Sequence, residues 1–189
     1  MKKTQAMILT AVFAALTAVG GFLRIPFGTI SFTMQVFFTC MAGLLLGPYW
    51  GSLSQLLYVL LGLIGLPIFT EGGGLMYVVK PTFGFLIGLI PMAFLVGMLT
   101  RGLASKRTKA GAPLSRPMQF LWLLLAQLVG LVVLYAIGLP YLYIFMHGAW
   151  TFQKTVVSGC LIFLPFDLMK MVLAPLLALR IRPLLQKQR

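Results

Sequence analysis

The sequence predicts an all-α integral membrane protein with six transmembrane helices and both termini in the cytoplasm. Its 189 residues are 60% hydrophobic and only 9% charged, whereas a soluble domain carries roughly a quarter charged residues to cover its surface. The mean hydropathy is +1.02. Apolar runs recur along the whole chain, and most of the 15 basic residues stand between them. This composition leaves room for a single membrane domain over residues 1–189.

The positions of the basic residues predict the topology. They cluster at residues 2–3, 101–116 and 180–189, and cytoplasmic loops and ends carry such an excess of Lys and Arg. A net charge of +13 in a soluble protein would indicate binding to nucleic acid. Because the charges here flank apolar runs, we expect the lipid bilayer as the partner, no nucleic acid, and a multi-pass location in the cell membrane.

The turn residues between the apolar runs set the predicted helix limits. Pro26 and Gly28 predict a loop over residues 24–32. Gly47 to Gly51, Gly65 to Pro67 and Gly138 to Pro140 read as breaks, and the polar residues 101–117 read as a cytoplasmic linker. The start of the chain also fits a secretory signal peptide, but several spans follow at once, which favours a retained first helix. The predicted helices are 5–23, 33–46, 52–64, 83–100, 118–137 and 151–181, the last interrupted at Pro165.

Several chemistries are excluded by missing motifs. The chain has no Gly-x-x-x-x-Gly-Lys-Ser/Thr loop, so it cannot hydrolyse ATP by that route. One His and two distant Cys do not form a zinc site, and Cys40 and Cys160 read as packed thiols. We therefore expect no catalytic residue, no metal and no cofactor.

Asp167 and Lys170 are the candidate binding residues. Glu71 and Asp167 are the only acidic residues of the chain, and a charge near the bilayer centre costs on the order of 3 kcal/mol. Pro165 suits the first turn of a restarted helix, which places Asp167 near the positive end of the helix dipole and Lys170 on the same face. The pair either satisfies itself or contacts a ligand that carries N–H donors and an acceptor or anion.

The segment before the fourth helix is the second candidate. Gly72, Gly73 and Gly74 free the backbone to approach a ligand closely, and Tyr77 follows as an aromatic side chain at the rim. On the first helix, Ala11 and Ala15 lie four residues apart and form a smooth strip. This strip contacts either another helix of the chain or a partner subunit.

Five segments resemble the BioY family, the biotin-binding S components of energy-coupling factor (ECF) vitamin transporters. They run in order along nearly the whole chain: residues 11–20, Gly43-Leu44-Leu45-Leu46-Gly47-Pro48, residues 63–67 with 72–74, Pro81-Thr82-Phe83-Gly84, and Leu164-Pro165-Phe166-Asp167-Leu168-Met169-Lys170.

The resemblance implies a non-catalytic subunit that captures biotin from outside for uptake driven by a coupling subunit and two ATPases. It implies that Asp167 and Lys170 contact the biotin head group, that Gly72, Gly73 and Gly74 lie against the ligand, and that Ala11 and Ala15 dock on the coupling subunit. The chain contains no Asn, and Tyr77 stands near the Asn that some members place after the glycines. Glu71 occupies a position where the family often has another Gly.

Two other functions stay open from the sequence. An S component for another vitamin, such as lipoate or thiamine, would need a similar pocket. A solitary proton-coupled carrier would use Asp167 as its titrating group.

Overall fold

The computed structural model describes residues 3–27, 30–101 and 114–186. Lys2, most of the predicted linker 101–117 and the last basic residues after 186 lie outside the described residues. The α-helices are α1 Lys3–Phe22, α2 Gln35–Leu46, α3 Pro48–Leu63, α4 Phe83–Thr100, α5 Arg116–Phe145, α6 Phe152–Val156 and α7 Leu164–Gln186. A hairpin of β1 Arg24–Phe27 and β2 Ile30–Thr33 follows α1, a 3₁₀ helix covers Leu75–Val79, and a π-helical turn covers Val157–Leu161.

Within the described residues, four helical segments are long and apolar enough to cross a membrane: α1, α4, α5 and the run Phe152–Pro183. The other two helices are shorter, with 12 residues in α2 and 16 in α3. At 1.5 Å per residue they span about 18 and 24 Å, less than the roughly 30 Å hydrocarbon core. Counting α6, the π turn and α7 as one unit, the part of the chain that the structure describes forms six helical units in the bundle.

Helix α4 occupies the centre of the bundle. It packs against α2, α3 and α5, while α1 packs on α2 and α3, and α7 packs on α2 and α5. Met92, Ala93 and Val96 of α4 are fully buried. At Gly97, a Cβ atom would lie 2.4 Å from the backbone of Gly47, so a glycine is required where α4 meets the α2–α3 connection. Small residues at such crossings let membrane helices approach closely.

Two predicted breaks differ from the structure. The predicted turn at 47–51 reduces to Gly47, whose φ is 82°, because Pro48 is the first residue of α3; proline suits this position since its missing N–H needs no partner there. Helix α5 does not end at 137 but continues through Pro140 to Phe145. A proline inside a membrane helix is tolerated when neighbouring groups satisfy the freed carbonyl.

The predicted loop between the first two helices is a β-hairpin. Ile25 pairs with Phe32 and Pro26 with Ser31. Pro26 suggested a break, yet proline is compatible with an edge strand. The hairpin matters for function because β2 carries Phe32 and Thr33 toward α7.

Residues 157–163 interrupt the last helical unit. The Ile162 N–H donates to the carbonyl of Val157 at 3.1 Å, five residues back, which is the π pattern that often marks functional sites. Pro165 is the second residue of α7, and Asp167 lies in its first turn. The interruption therefore starts a new helix just before the two intramembrane charges.

Candidate ligand-binding site

A cavity lies among β2, α2, α4, α5, α7 and the segment 70–82. Its volume, measured as the space open to the centres of water-sized spheres, is about 100 Å³. One water needs roughly 10–15 Å³ on this measure, so the cavity accommodates a small organic ligand. Its apolar wall consists of Phe32, Val36, Tyr77, Phe85, Leu86, Leu89, Leu134, Gly159 and Phe163. Its polar lining consists of Ser31, Thr33, Gln35, Thr70, Glu71, Thr82, Tyr135, Asp167 and Lys170.

Asp167 and Lys170 form a buried ion pair in this cavity. The Lys170 Nζ atom lies 2.7 Å from Asp167 Oδ1, and the two residues are only 4% and 3% exposed. The one-turn spacing inside α7 makes the contact local. Both residues still line the cavity, so the pair satisfies itself in part and faces a ligand space at the same time.

Groups from other elements complete the environment of the pair. Lys170 Nζ donates to the carbonyl of Thr33 at 2.7 Å and lies 4.0 Å from the ring centroid of Phe32, a cation–π contact. The Tyr135 hydroxyl donates to Asp167 Oδ2 at 2.6 Å. An ammonium has three N–H donors and a carboxylate about four lone pairs, so both groups retain capacity for a ligand.

A second polar cluster joins the cavity to the segment before α4. The Gln35 side-chain amide donates to the Tyr58 hydroxyl at 2.6 Å, and that hydroxyl donates to the carbonyl of Ile68 at 3.3 Å. The Thr33 hydroxyl donates to Gln35 Oε1 at 3.0 Å. These bonds connect β2, α2, α3 and the start of the loop that carries Glu71 and Tyr77.

The segment 70–82 contributes a half-exposed ion pair. Lys80 Nζ lies 2.7 Å from Glu71 Oε2 and 4.9 Å from the ring centroid of Tyr77. Tyr77 is buried, and burial raises the pKa of its hydroxyl while the Glu71 carboxylate adds to that shift. The hydroxyl is therefore protonated at neutral pH and is available as a donor.

The three glycines lie beside the cavity but are not among its lining residues. Gly72 and Gly74 have φ values of 112° and 100°, which L side chains rarely adopt. At Gly73, a Cβ atom would lie 2.1 Å from the carbonyl oxygen of Leu66. The glycines thus shape the loop against the end of α3, and the side chains of Glu71 and Tyr77 form the wall that the loop presents.

The alanines of α1 divide between two faces. Ala14 and Ala18 are buried against the bundle, whereas Ala11 and Ala15 are exposed. Met7, Ile8 and Val12 are also exposed. The face with Ala11 and Ala15 is therefore open to lipid or to another subunit.

Sequence reasoning did not identify Tyr135, Thr33 and Gln35 as site residues. Tyr135 is the one hydroxyl-bearing residue in an otherwise apolar stretch of α5, residues 128–140. Gln35 opens α2 and is the only amide side chain of that helix. These two features were the available signals. Thr33 acts through its backbone carbonyl, which no side-chain pattern reveals. Among the described residues, no group of three or more His, Cys, Asp and Glu could hold a metal ion.

The fold and the site together define a multi-pass membrane protein with a partly polar pocket for a small molecule. Residues 1–187 match the model of the BioY family, and the chain belongs to this family.

Curated relatives cover most of the chain. It is 40% identical over 154 residues to a probable biotin transporter BioY of Lysinibacillus sphaericus, covering 82% of this chain and 72% of that protein. It is 37% identical to the biotin transporter BioY of Thermotoga maritima, covering 94% and 96% of the two chains.

A solved structure shares the fold. The crystal structure of the S component for biotin from an ECF-type ABC transporter matches with a TM-score of 0.78 at 26% identity. The match covers 97% of this chain and 95% of that one.

Proposed function

We propose that this protein is the biotin-binding S subunit of an ECF-type vitamin importer. The observation that carries the proposal is the buried Asp167–Lys170 pair lining a cavity of ligand size in a member of the BioY family. Intramembrane charges usually face a cavity and mark a substrate route. The relatives named as biotin transporters and the biotin S-component structure support biotin as the ligand.

The cavity chemistry fits the parts of biotin. The ureido ring presents two N–H donors and one carbonyl acceptor, which match the carboxylate of Asp167 and the ammonium of Lys170. Hydrogen bonds to charged groups are the strong ones. The fused thiophane ring is apolar and fits the wall formed by Phe32, Phe85 and Phe163.

In this proposal the glycine loop acts through the residues around it. Gly72, Gly73 and Gly74 lie next to the bound ligand and hold Tyr77 and Glu71 at the wall of the cavity. The positive φ of Gly72 and Gly74 supports this role, because another residue would displace the loop. Tyr77 supplies a hydroxyl donor near the position where some family members have an Asn.

The import step requires other subunits. The protein binds biotin from outside, and a transmembrane coupling subunit with two ATPases supplies the energy; the S subunit itself is not an enzyme and uses no cofactor. The exposed Ala11 and Ala15 on α1 form the docking face for the coupling subunit. Small side chains there allow a partner helix to approach closely.

Biotin binding by the purified protein tests the ligand assignment. We expect Asp167→Asn and Lys170→Ala each to weaken binding of labelled biotin by about 100-fold or more, because each leaves a buried charge without its partner. Lys154→Ala is the matched control, since Lys154 is an exposed lysine whose ammonium lies over the Trp150 ring. Wild-type affinity in both site variants would refute the site.

Competition separates biotin from the other vitamins. Unlabelled biotin should displace the label, while lipoate and thiamine, which lack a ureido ring, should not. Displacement by lipoate at comparable concentration would favour an S component for a different acid-bearing vitamin.

Co-purification with the coupling subunit tests the docking face. The double variant Ala11→Trp/Ala15→Trp should lose the complex, because two indole rings hold the partner helix away. Val132→Trp on α5 is the control, since Val132 is 68% exposed and lies on a different helix. Intact assembly of the alanine variant would show that another face docks.

A further inference from the structure

The side chain of Tyr135 faces the cavity and also contacts the buried Asp167–Lys170 pair. It lies in α5 and lines the cavity, and its hydroxyl donates to Asp167 Oδ2 at 2.6 Å. Its ring meets that of Phe85 edge-on, with 6.2 Å between the centroids. The ring contact with α4 and the hydroxyl contact with α7 define one orientation for this side chain.

The two oxygens of Asp167 are held by different helices. Oδ1 accepts from Lys170 within α7, and Oδ2 accepts from Tyr135 on α5. Lys170 in turn donates to the Thr33 carbonyl on β2. A chain of hydrogen bonds therefore runs from α5 through α7 to the hairpin, and Asp167 stands in its middle.

This arrangement prevents rotation of the carboxylate. Lys170 alone holds one oxygen and leaves the other free to swing, whereas two donors on opposite oxygens define the carboxylate plane. A ligand with an N–H pair then meets lone pairs that already point in the required direction. Groups held in the productive orientation before binding do not lose conformational freedom when the ligand arrives.

We propose that Tyr135 is a positioning residue for ligand recognition, which acts by orienting the carboxylate of Asp167. This inference rests on the proposed function of biotin binding and adds a residue that acts through another. The hydroxyl of Tyr135 makes the contact that orients the carboxylate. The ring packs against Phe85, and a phenylalanine at position 135 would keep that packing.

Labelled-biotin binding to Tyr135→Phe tests the role. We expect affinity to fall about tenfold or more, the factor expected for losing one hydrogen bond to a charged group. The matched control is Tyr143→Phe, which removes a hydroxyl from the same helix. The ring of Tyr143 packs on His147 and Phe152, outside the cavity lining, and its variant should bind as the wild type does.

Infrared spectroscopy measures the carboxylate band of Asp167, which a loss of packing alone would not shift. The chain has only two acidic side chains, so the carboxylate band of Asp167 can be assigned by its loss in Asp167→Asn, with Glu71→Gln assigning the other. We expect Tyr135→Phe to shift the Asp167 band, because Oδ2 loses its donor. Tyr143→Phe should leave the band in place.

Weakened binding together with a shifted band supports the role. Wild-type affinity in Tyr135→Phe overturns it, whether or not the band shifts, and so does weakened binding with an unmoved band. Wild-type protein that binds no biotin overturns the proposed function itself. That failure is seen without any variant and is therefore distinguishable from the failure of Tyr135.

Discussion

The two ion pairs seen in the described residues have the same length but different surroundings. In each, the lysine Nζ and carboxylate oxygen are 2.7 Å apart. The side chains of Lys170 and Asp167 are 3% and 6% exposed, while those of Lys80 and Glu71 are 36% and 45% exposed. These two pairs use both acidic side chains of the protein.

Because the two distances are equal, burial is the feature that distinguishes the two pairs. Exposed pairs contribute about 0–1 kcal/mol, because water and salt screen them and two long side chains must be ordered. Removing one partner of a buried pair costs about 3–5 kcal/mol, because a charge is left without compensation. This difference supports the proposed role of Asp167–Lys170 in ligand recognition, and for Glu71–Lys80 we propose a role in bridging the loop.

Breaking the buried pair should have the largest effect on the unliganded protein. Lys170→Ala should lower the free energy of unfolding by about 3–5 kcal/mol, since Asp167 keeps its charge and loses its partner. Thermal or denaturant unfolding of the purified protein in detergent measures this. Lys154→Ala should stay near the wild type; equal losses in the two variants would contradict the role of burial.

Replacing both partners of the buried pair should separate stability from recognition. Asp167→Leu/Lys170→Met removes both charges, and apolar replacements of similar volume are often neutral for stability. We expect unfolding within about 2 kcal/mol of the wild type and no detectable biotin binding. If the double variant were as unstable as Lys170→Ala, the two charges would not be the source of the loss.

Breaking the exposed pair should change little. Glu71→Gln should alter the free energy of unfolding by less than about 1 kcal/mol, because Lys80 stays solvated and also donates to the backbone carbonyl of Glu71. The same unfolding experiment applies. A loss as large as that of Lys170→Ala would show that exposure does not decide the contribution.

The salt dependence of stability should also distinguish the two ion pairs, and this is the smallest of the expected effects. Raising the ionic strength from about 0.05 to 0.5 M shortens the Debye length and screens exposed charges far more than buried ones. The stability difference between wild type and Glu71→Gln should shrink, whereas that between wild type and Lys170→Ala should persist. If salt reduced both stability differences equally, burial would not distinguish the two ion pairs.

Local patterns predicted much of this protein because they depend on neighbouring residues. Composition established the membrane class, and the apolar runs located α1 and α4 closely. Asp167 and Lys170 could be paired from spacing alone, because residues three apart in a helix share a face. Pro165 located the start of α7 because proline suits a first turn.

Other features could not be derived because they depend on what packs around them. Pro140 reads as a helix end, yet α5 continues past it inside the bundle. The hairpin at 24–33 was hidden because Pro26 and Gly28 read as breakers. The close approach of Gly73 to the end of α3 also depends on packing, which the run of glycines at 72–74 does not specify.

By itself, the sequence determined the class of protein and the position of Asp167 and Lys170 on one face of α7, one turn apart. Only the tertiary structure decided what surrounds that pair. Tyr135 is 32 residues from Asp167, and Thr33 is 137 residues from Lys170. A hydrogen bond between groups so far apart in the chain exists only after α5, α7 and the hairpin have packed together.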